Sequence, residues 1–184
     1  PICATLRKPL LMMQPTYAYR PIGSIQPSAP LRLQVPTHGL PDAWPTWIEG
    51  VRGWAALNRA KEREAFRLAR VIDADTLEYN DLNGSGQQAS GGHLVYRLPL
   101  DLTGASARLH IRDAAGSLLL GLSTADGGLL IDGPGRLLLV LSAAQTAAIH
   151  WQSGVYDLEL TMADGSVDRW AQGAVTVSRE QTYD

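Results

Sequence analysis

The residues that could do chemistry in this chain are few and widely spaced. A catalytic serine needs either a histidine and an acid at motif spacing or a strand-turn-helix setting, and Ser85 in the segment GSG has neither. The four histidines are His38, His93, His110 and His150. They form no HExxH motif and no pairing with cysteine, so we expect surface histidines and no metal site.

The segment DADT is the nearest approach to a calcium loop. Asp73 and Asp75 are followed by Asp81 and Asn83, but the central glycine and the terminal glutamate of such a loop are missing. A hairpin turn is the favoured interpretation. The glycine-containing segments GPGR and GSG are short and are not followed by helices, so no phosphate cradle is predicted. We therefore expect no catalytic residue, no metal and no cofactor, and hence no enzyme.

Three tryptophans leave a binding function open. Trp44, Trp47 and Trp54 could form a surface that stacks against sugar rings, which would make the chain a carbohydrate-binding module. In a small β module with a single phenylalanine, tryptophans more often form the core. A glycan array separates the two interpretations.

The elements that must position these residues are mostly strands. In ARLHIR, the residues Ala107, Leu109 and Ile111 alternate with polar ones, and VYDLELTM places Tyr156 and Leu158 on one face in the same way. Turn signals such as ADGS separate these segments at short spacing. RAKEREAFRLAR has helix propensity, and Ser142 can cap one or two helical turns in SAAQTAAI. The pattern predicts a mainly β fold of antiparallel sheets, a sandwich or a barrel.

The first thirty residues are predicted to be an extended N-terminal arm. Nine of the 11 prolines lie in the first 45 residues, and proline disfavours helix. The arm contains too many apolar and aromatic residues for a solvated tail. It therefore packs along its own domain or docks on another subunit. In the second case Tyr17, Tyr19 and Arg20 are possible assembly contacts.

Composition argues against several further classes of protein. No segment approaches the ~20 apolar residues of a membrane span. The net charge of −2 gives no argument for nucleic-acid or membrane-surface binding. Cys3 is the only cysteine, so an internal disulfide is impossible, which fits synthesis in a reducing compartment. We expect a soluble protein that is not exported.

Four segments in the first half of the chain follow one another in a characteristic order: THGL, WIEGVRGWAALN, VIDADTLEY and the loop ending in Gly91-Gly92. Through these segments, residues 31–98 resemble a small β module of bacteriophage tail proteins, which is similar to the FCCH domain of ubiquitin-activating enzymes. Trp54 stands where that family has methionine, and the insert AKERE lengthens the loop before Phe66. The resemblance implies that Gly50 and Gly53 permit a chain reversal and that Asn58 bonds the backbone in a turn. This motif indicates a fold and no active site.

The second half of the chain contains the segments LDLTGASARLHIRDAAGSLLLGLST, GRLLLVLSAAQTAAI and SGVYDLELTMADGSVDRWAQGAVTVS. Through these segments, residues 99–184 resemble an immunoglobulin-like domain of phage structural proteins and are similar to the N-terminal domain of upper-baseplate proteins that attach receptor-binding fibres. Tyr156, which follows a helical turn and Gly154, resembles the tyrosine corner of such sandwiches.

Together the resemblances imply a virion structural protein of a tailed phage. The expected organisation is an arm over residues 1–30, an FCCH-like β module over 31–98 and an Ig-like β-sandwich over 99–184. Such a protein would be made in the bacterial cytoplasm and would join tail, portal or adaptor, or fibre components in the particle, as a homo-oligomer. The alternatives are a capsid decoration protein and the carbohydrate-binding host-adhesion module. Fold alone does not decide among them.

Overall fold

Alternating apolar residues give this chain a mainly β structure with antiparallel sheets, as predicted. The computed structural model describes residues 4–178. Its strands are β1 (Leu6–Leu11), β2 (Met13–Pro21), β3 (Ser24–Gln26), β4 (Leu31–Gln34), β5 (Trp44–Glu49), β6 (Arg67–Val71), β7 (Thr76–Tyr79), β8 (His93–Pro99), β9 (Ser106–Arg112), β10 (Leu118–Ser123), β11 (Leu129–Ile131), β12 (Arg136–Leu141), β13 (Ser153–Thr161) and β14 (Val167–Thr176). A 3₁₀ turn spans Ala55–Leu57, and helix α1 spans Ala143–Ala147.

The chain forms two compact units. The half-barrel unit consists of residues 13–100, and the sandwich unit consists of residues 4–12 together with 101–178. In the half-barrel unit one curled seven-stranded sheet has the order β2-β8-β5-β6-β7-β4-β3. Its core contains fully buried side chains, the largest of which are Trp44, Tyr79 and Tyr96.

The sandwich unit has a three-stranded sheet, β1-β12-β11, and a four-stranded sheet, β10-β9-β13-β14. Leu109, Leu158 and Leu160 are buried, which agrees with the predicted alternation in β9 and β13. In immunoglobulin constant domains the second strand joins the sheet of the first, fourth and fifth strands. Here the second strand of the unit, β9, pairs with β10 and β13. The architecture is sandwich-like, and its strand order differs from that of a constant domain.

The N-terminal segment is extended, and the chain uses it as strands of its own sheets. β1 pairs with β12 in the sandwich unit, whereas β2 pairs with β8 and β3 pairs with β4 in the half-barrel unit. The boundaries predicted at residues 30 and 98 therefore differ from the observed units, which divide at Met12 and at Leu100. The many prolines are compatible with strands because β1, β2 and β3 lie at sheet edges, where a missing N–H can face solvent.

Helix propensity misleads for residues 59–70. The segment forms a turn at residues 61–64 and then strand β6, which pairs with β5 and β7. Tertiary pairing outweighs the weak local preference. The short helix α1 is capped by Ser142 as predicted, and the Ser142 side chain accepts a hydrogen bond from the Gln145 backbone in a capping box.

The segment WIEGVRGWAALN forms β5, a reversal and the 3₁₀ turn. Gly50 and Gly53 have φ values of +73° and +84°, in the region that favours glycine. Asn58 Oδ1 accepts a hydrogen bond from the Val51 N–H at 2.8 Å, and its Nδ2 donates to the Val51 carbonyl at 2.9 Å. One side chain therefore closes the loop in both directions.

Replacement of Asn58 by alanine is expected to cost about 2 kcal/mol of folding free energy, because two part-buried hydrogen bonds of about 1 kcal/mol each are lost. Urea denaturation followed by circular dichroism measures this. The matched control is Asn83→Ala, since Asn83 makes one exposed bond, in which its Oδ1 accepts from the Ser85 N–H. Equal losses in the two variants would show that the Asn58 bonds do not hold the loop.

Candidate functional site

One face of the half-barrel sheet carries a cluster of aromatic and cationic side chains. In the sheet register Tyr19 lies opposite Val95, and Val95 lies opposite Trp47. Tyr17 lies opposite Arg97 in the neighbouring row. Because directly opposed residues project from the same face, these side chains form one surface. We call it the aromatic face, and its members are Tyr17, Tyr19, Trp47, Lys61, Phe66 and Arg97.

The rings of the aromatic face pack edge to face. The ring centroids of Tyr17 and Trp47 are 5.9 Å apart at an interplanar angle of 74°. Those of Trp47 and Phe66 are 6.1 Å apart at 82°. Such pairs are worth about 0.5–1.5 kcal/mol each beyond their buried area. Trp47 Nε1 also donates to the Glu64 carbonyl at 2.9 Å, which fixes the indole.

Two cations lie over the tyrosine rings. The Arg97 guanidinium carbon is 4.9 Å from the ring centroid of Tyr17. Lys61 Nζ is 5.5 Å from the centroid of Tyr17 and 5.3 Å from that of Tyr19. Lys61 also pairs with Glu62 at 2.5 Å, and this carboxylate, followed by the Tyr19 side chain, raises the pKa of Lys61 above its usual range. The amine stays charged at neutral pH.

The loop of residues 59–66 brings Lys61 and Phe66 to the aromatic face, and we call it the braced loop because hydrogen bonds hold it. The loop begins where Arg59 N–H donates to the Ile48 carbonyl at 2.7 Å. Its turn closes because Glu64 N–H donates to the Ala60 carbonyl, while the Glu64 carboxylate accepts from the Ala60 N–H. These bonds connect the inserted segment AKERE to strand β5 and hold it beside the sheet.

The aromatic face is only partly covered. Tyr19 is 51% exposed and Phe66 is 48% exposed, whereas Tyr17 and Trp47 are half-buried. Beside Phe66 lies an open groove of about 510 Å³, whose lining includes the exposed Leu68 and the ion pair between Arg67 and Asp81. The surface therefore presents rigid apolar rings next to fixed charges.

The structure places the predicted assembly contacts on two sides of β2. Tyr17 and Tyr19 belong to the aromatic face. Arg20 lies opposite Leu94, a buried core residue, so alternation directs it to the other face of the strand. Gly50, Gly53 and Asn58 shape the loop after β5 and are outside the aromatic face.

Tyr156 lies in the sandwich unit, where it is half-buried. The resemblance to a tyrosine corner implies a hydroxyl that bonds the backbone upstream. Here the ring covers Gly173 on the neighbouring strand, because a Cβ added at Gly173 would lie 3.0 Å from Tyr156 Cε1. The residue therefore fills space over a glycine.

Three members of the aromatic face escaped sequence reasoning, namely Lys61, Phe66 and Arg97, whereas Trp47 was considered only as part of a sugar-stacking surface. The alternation in YAYR indicated that Tyr17 and Tyr19 share a side, and that in TWIEG indicated that Trp47 and Ile48 point in opposite directions. Nothing in the sequence stated that β2 and β5 both pair with β8, which is the pairing that brings these residues together.

Two of the residues weighed for metal binding, His38 and Asp73, have structural contacts, and His38 is not at the surface as expected. His38 is buried, its Nδ1 accepts from the Leu40 N–H at 3.0 Å, and its Nε2 lies 2.9 Å from the Asp73 carbonyl. Asp73 Oδ1 accepts from the Asp75 N–H, and this bond lowers the pKa of the Asp73 carboxyl. Within the described part of the chain, no group of three or more His, Cys, Asp or Glu side chains is arranged to hold a metal ion.

Comparisons with known proteins add no relative. No family model, no curated protein and no solved structure matches this chain. Among residues 4–178, no helix has the length and apolar character needed to cross a membrane.

Proposed function

We propose that this protein is a structural component of a tailed-phage virion and that its aromatic face docks another virion protein. The observation that carries the docking proposal is the exposure of Tyr19 and Phe66 beside Lys61 and Arg97. Aromatic residues and arginine are enriched in protein–protein interfaces and supply most of their hot spots. The partner is a tail, portal or adaptor, or fibre component.

The rigidity of the aromatic face supports docking. Strand pairing fixes Tyr17 and Tyr19, a hydrogen bond fixes Trp47, and the braced loop fixes Lys61 and Phe66. A surface that is already ordered loses little conformational entropy on binding, so more of the contact energy remains as affinity. Arg97 makes no ion pair with residues 4–178 and can meet a carboxylate of the partner.

The assignment to a virion rests on the two sequence resemblances and on their order along the chain. An FCCH-like module followed by an Ig-like sandwich fits a small joining protein of the particle, made in the bacterial cytoplasm. The mainly β fold with antiparallel sheets is compatible with this proposal. Capsid decoration is the second possibility for a virion protein, and a map of the particle that locates the chain separates the two.

Carbohydrate binding is the alternative from another functional class. Exposed rings at Tyr19 and Phe66 next to an open groove that contains the ion pair of Arg67 and Asp81 favour it, since sugars stack on aromatic rings. The tryptophans offer less surface for sugar stacking than the sequence suggested. Trp44 is fully buried, and Trp47 Nε1 already donates to a backbone carbonyl. Binding of the purified chain to a glycan array would favour this alternative over docking.

The docking proposal predicts that Tyr19→Ala with Phe66→Ala lowers incorporation into particles. Truncation of two hot spots at about 1–2 kcal/mol each weakens binding by about 30-fold to 1,000-fold. The measurement is quantitative mass spectrometry of purified particles, made by complementing a phage that lacks a functional copy of the gene.

The matched control is Leu118→Ala, because Leu118 is 53% exposed and lies in the sandwich unit. It should incorporate at the wild-type level. Both variants should stay folded, and the melting temperature of the double variant should fall by only a few degrees, because it loses the ring pair of Trp47 and Phe66, worth about 0.5–1.5 kcal/mol. Folded double-variant protein that incorporates as well as Leu118→Ala would overturn the docking role of the aromatic face.

A further inference from the structure

The sheets of this protein differ in how their edge strands are protected. Edge strands are open to pairing with another chain unless they are short, charged, bulged or interrupted by proline. β3 and β11 have three residues each, and β10 pairs through an irregular register. β2 contains Pro15 and Pro21, and β1 contains Pro9 next to Arg7 and Lys8. β14 contains no proline, and with ten residues it is the longest edge strand among residues 4–178.

The hydrogen-bond pattern shows which groups of β14 face outward. Val177 N–H donates to the Gln152 carbonyl at 2.8 Å, so this N–H points toward β13. Alternation along an antiparallel strand then directs the backbone N–H and C=O groups of Gln172, Ala174 and Thr176 away from β13. Among residues 4–178 no strand pairs with these groups, which form a row along the edge of the four-stranded sheet.

The C-terminal part of β14, residues 170–176, is uncharged. The charged residues of the strand are Asp168 and Arg169, and both precede the irregularity at Trp170, where β13 steps from Leu158 to Glu159. The stretch WAQGAVT, residues 170–176, carries no charge, and Gly173 is its central residue. A neutral strand of equal length complements this edge, and β14 of another copy is such a strand.

An apolar groove runs beside the same edge. It has a volume of about 580 Å³, and its lining includes Leu109, Ile111, Tyr156, Leu158 and Trp170. The opposite rim is β1, whose Met12 N–H donates to the Gly135 carbonyl. Alternation then directs the Pro9 nitrogen outward, so β1 cannot offer a full row of donors. Of the two rims, β14 is therefore the one that offers a full row of donors to an added strand.

We propose that β14 pairs antiparallel with β14 of a second copy about a two-fold axis at Gly173. This joins the four-stranded sheets of two copies into one continuous sheet and brings a second strand over the groove. In this register Gln172 of each copy lies opposite Ala174 of the other. Asp168 and Arg169 fall outside the paired stretch, so no like charges meet. The inference concerns the sandwich unit and does not depend on the proposed function.

The test is the mass of the full chain as a function of concentration, measured by sedimentation. The wild type should shift from one copy to two. Ala174→Pro removes an outward N–H and should raise the dissociation constant at least about tenfold, whereas Ala174→Val keeps the N–H and should dimerise like the wild type. Amide exchange should show protection of residues 172, 174 and 176 only in concentrated samples.

A second pair of variants tests the register and leaves every N–H in place. Gln172→Glu with Ala174→Glu puts like charges opposite each other twice and should weaken the dimer. Gln172→Glu with Ala174→Lys puts opposite charges there and should restore or tighten it. A wild type that stays monomeric up to about 1 mM would overturn the proposal. Equal dimerisation of the two charge variants would also overturn it.

Discussion

Replacement of Trp44 by alanine is expected to lower the free energy of unfolding of the half-barrel unit by about 3–5 kcal/mol. Trp44 begins β5 and is fully buried, and its Nε1 donates to the Arg97 carbonyl at 2.8 Å. Truncation leaves a large cavity in the core and removes the donor of that carbonyl. Urea denaturation of the full chain, followed by circular dichroism, measures the loss.

Trp54→Ala is the matched control for this prediction. Trp54 is only partly buried, so the same change should cost less, because less apolar area leaves water on folding and a smaller cavity remains. If both tryptophan variants lost the same stability, Trp44 would not be the centre of this core.

Gly53→Ala is expected to cost about 3–4 kcal/mol. A side chain at a φ of +84° costs about 1–2 kcal/mol. An added Cβ would also overlap the Gln88 carbonyl oxygen, so the two loops would have to separate. That movement breaks the bridge in which Arg52 N–H donates to the Ser90 carbonyl and Ser90 N–H donates to the Arg52 carbonyl, at about 1 kcal/mol per bond.

Gly86→Ala isolates the backbone part of this cost. Gly86 has a φ of +75°, and a Cβ there would meet no atom within 4 Å. We therefore expect a loss of about 1–2 kcal/mol for Gly86→Ala, below that for Gly53→Ala. Equal losses would mean that the contact between the two loops contributes nothing to stability.

Strand content could be predicted from the sequence because one-sided burial leaves a period of two. ARLHIR became β9 with Ala107, Leu109 and Ile111 buried, as alternation indicated. The same rule does not predict β7, because all four residues of TLEY are buried and no alternation remains. Glu78 is tolerated there because Arg32 and Arg70 pair with its carboxylate at 2.9 Å and 3.3 Å. Those partners come from other strands, so local sequence could not reveal them.

The aromatic face could be predicted only in part, for a related reason. Tyr17 and Tyr19 lie two residues apart on one strand, and this spacing is local information. Lys61 comes from an insertion, and Arg97 comes from a strand about 80 residues further along the chain than Tyr17. Only the register of β2, β8 and β5 decides that these residues meet. The prolines of the first thirty residues indicated extended chain, but they did not indicate which sheets it would join.

Photo-cross-linking from position 19 in assembled particles tests the docking role of the aromatic face most directly. A photoreactive phenylalanine analogue would replace Tyr19 in one sample and Leu118, which is similarly exposed, in a control sample. The account predicts a cross-link from position 19 to a different virion protein and none from position 118. Particles that lack the chain, or particles that contain it and show no cross-link from position 19, would contradict it.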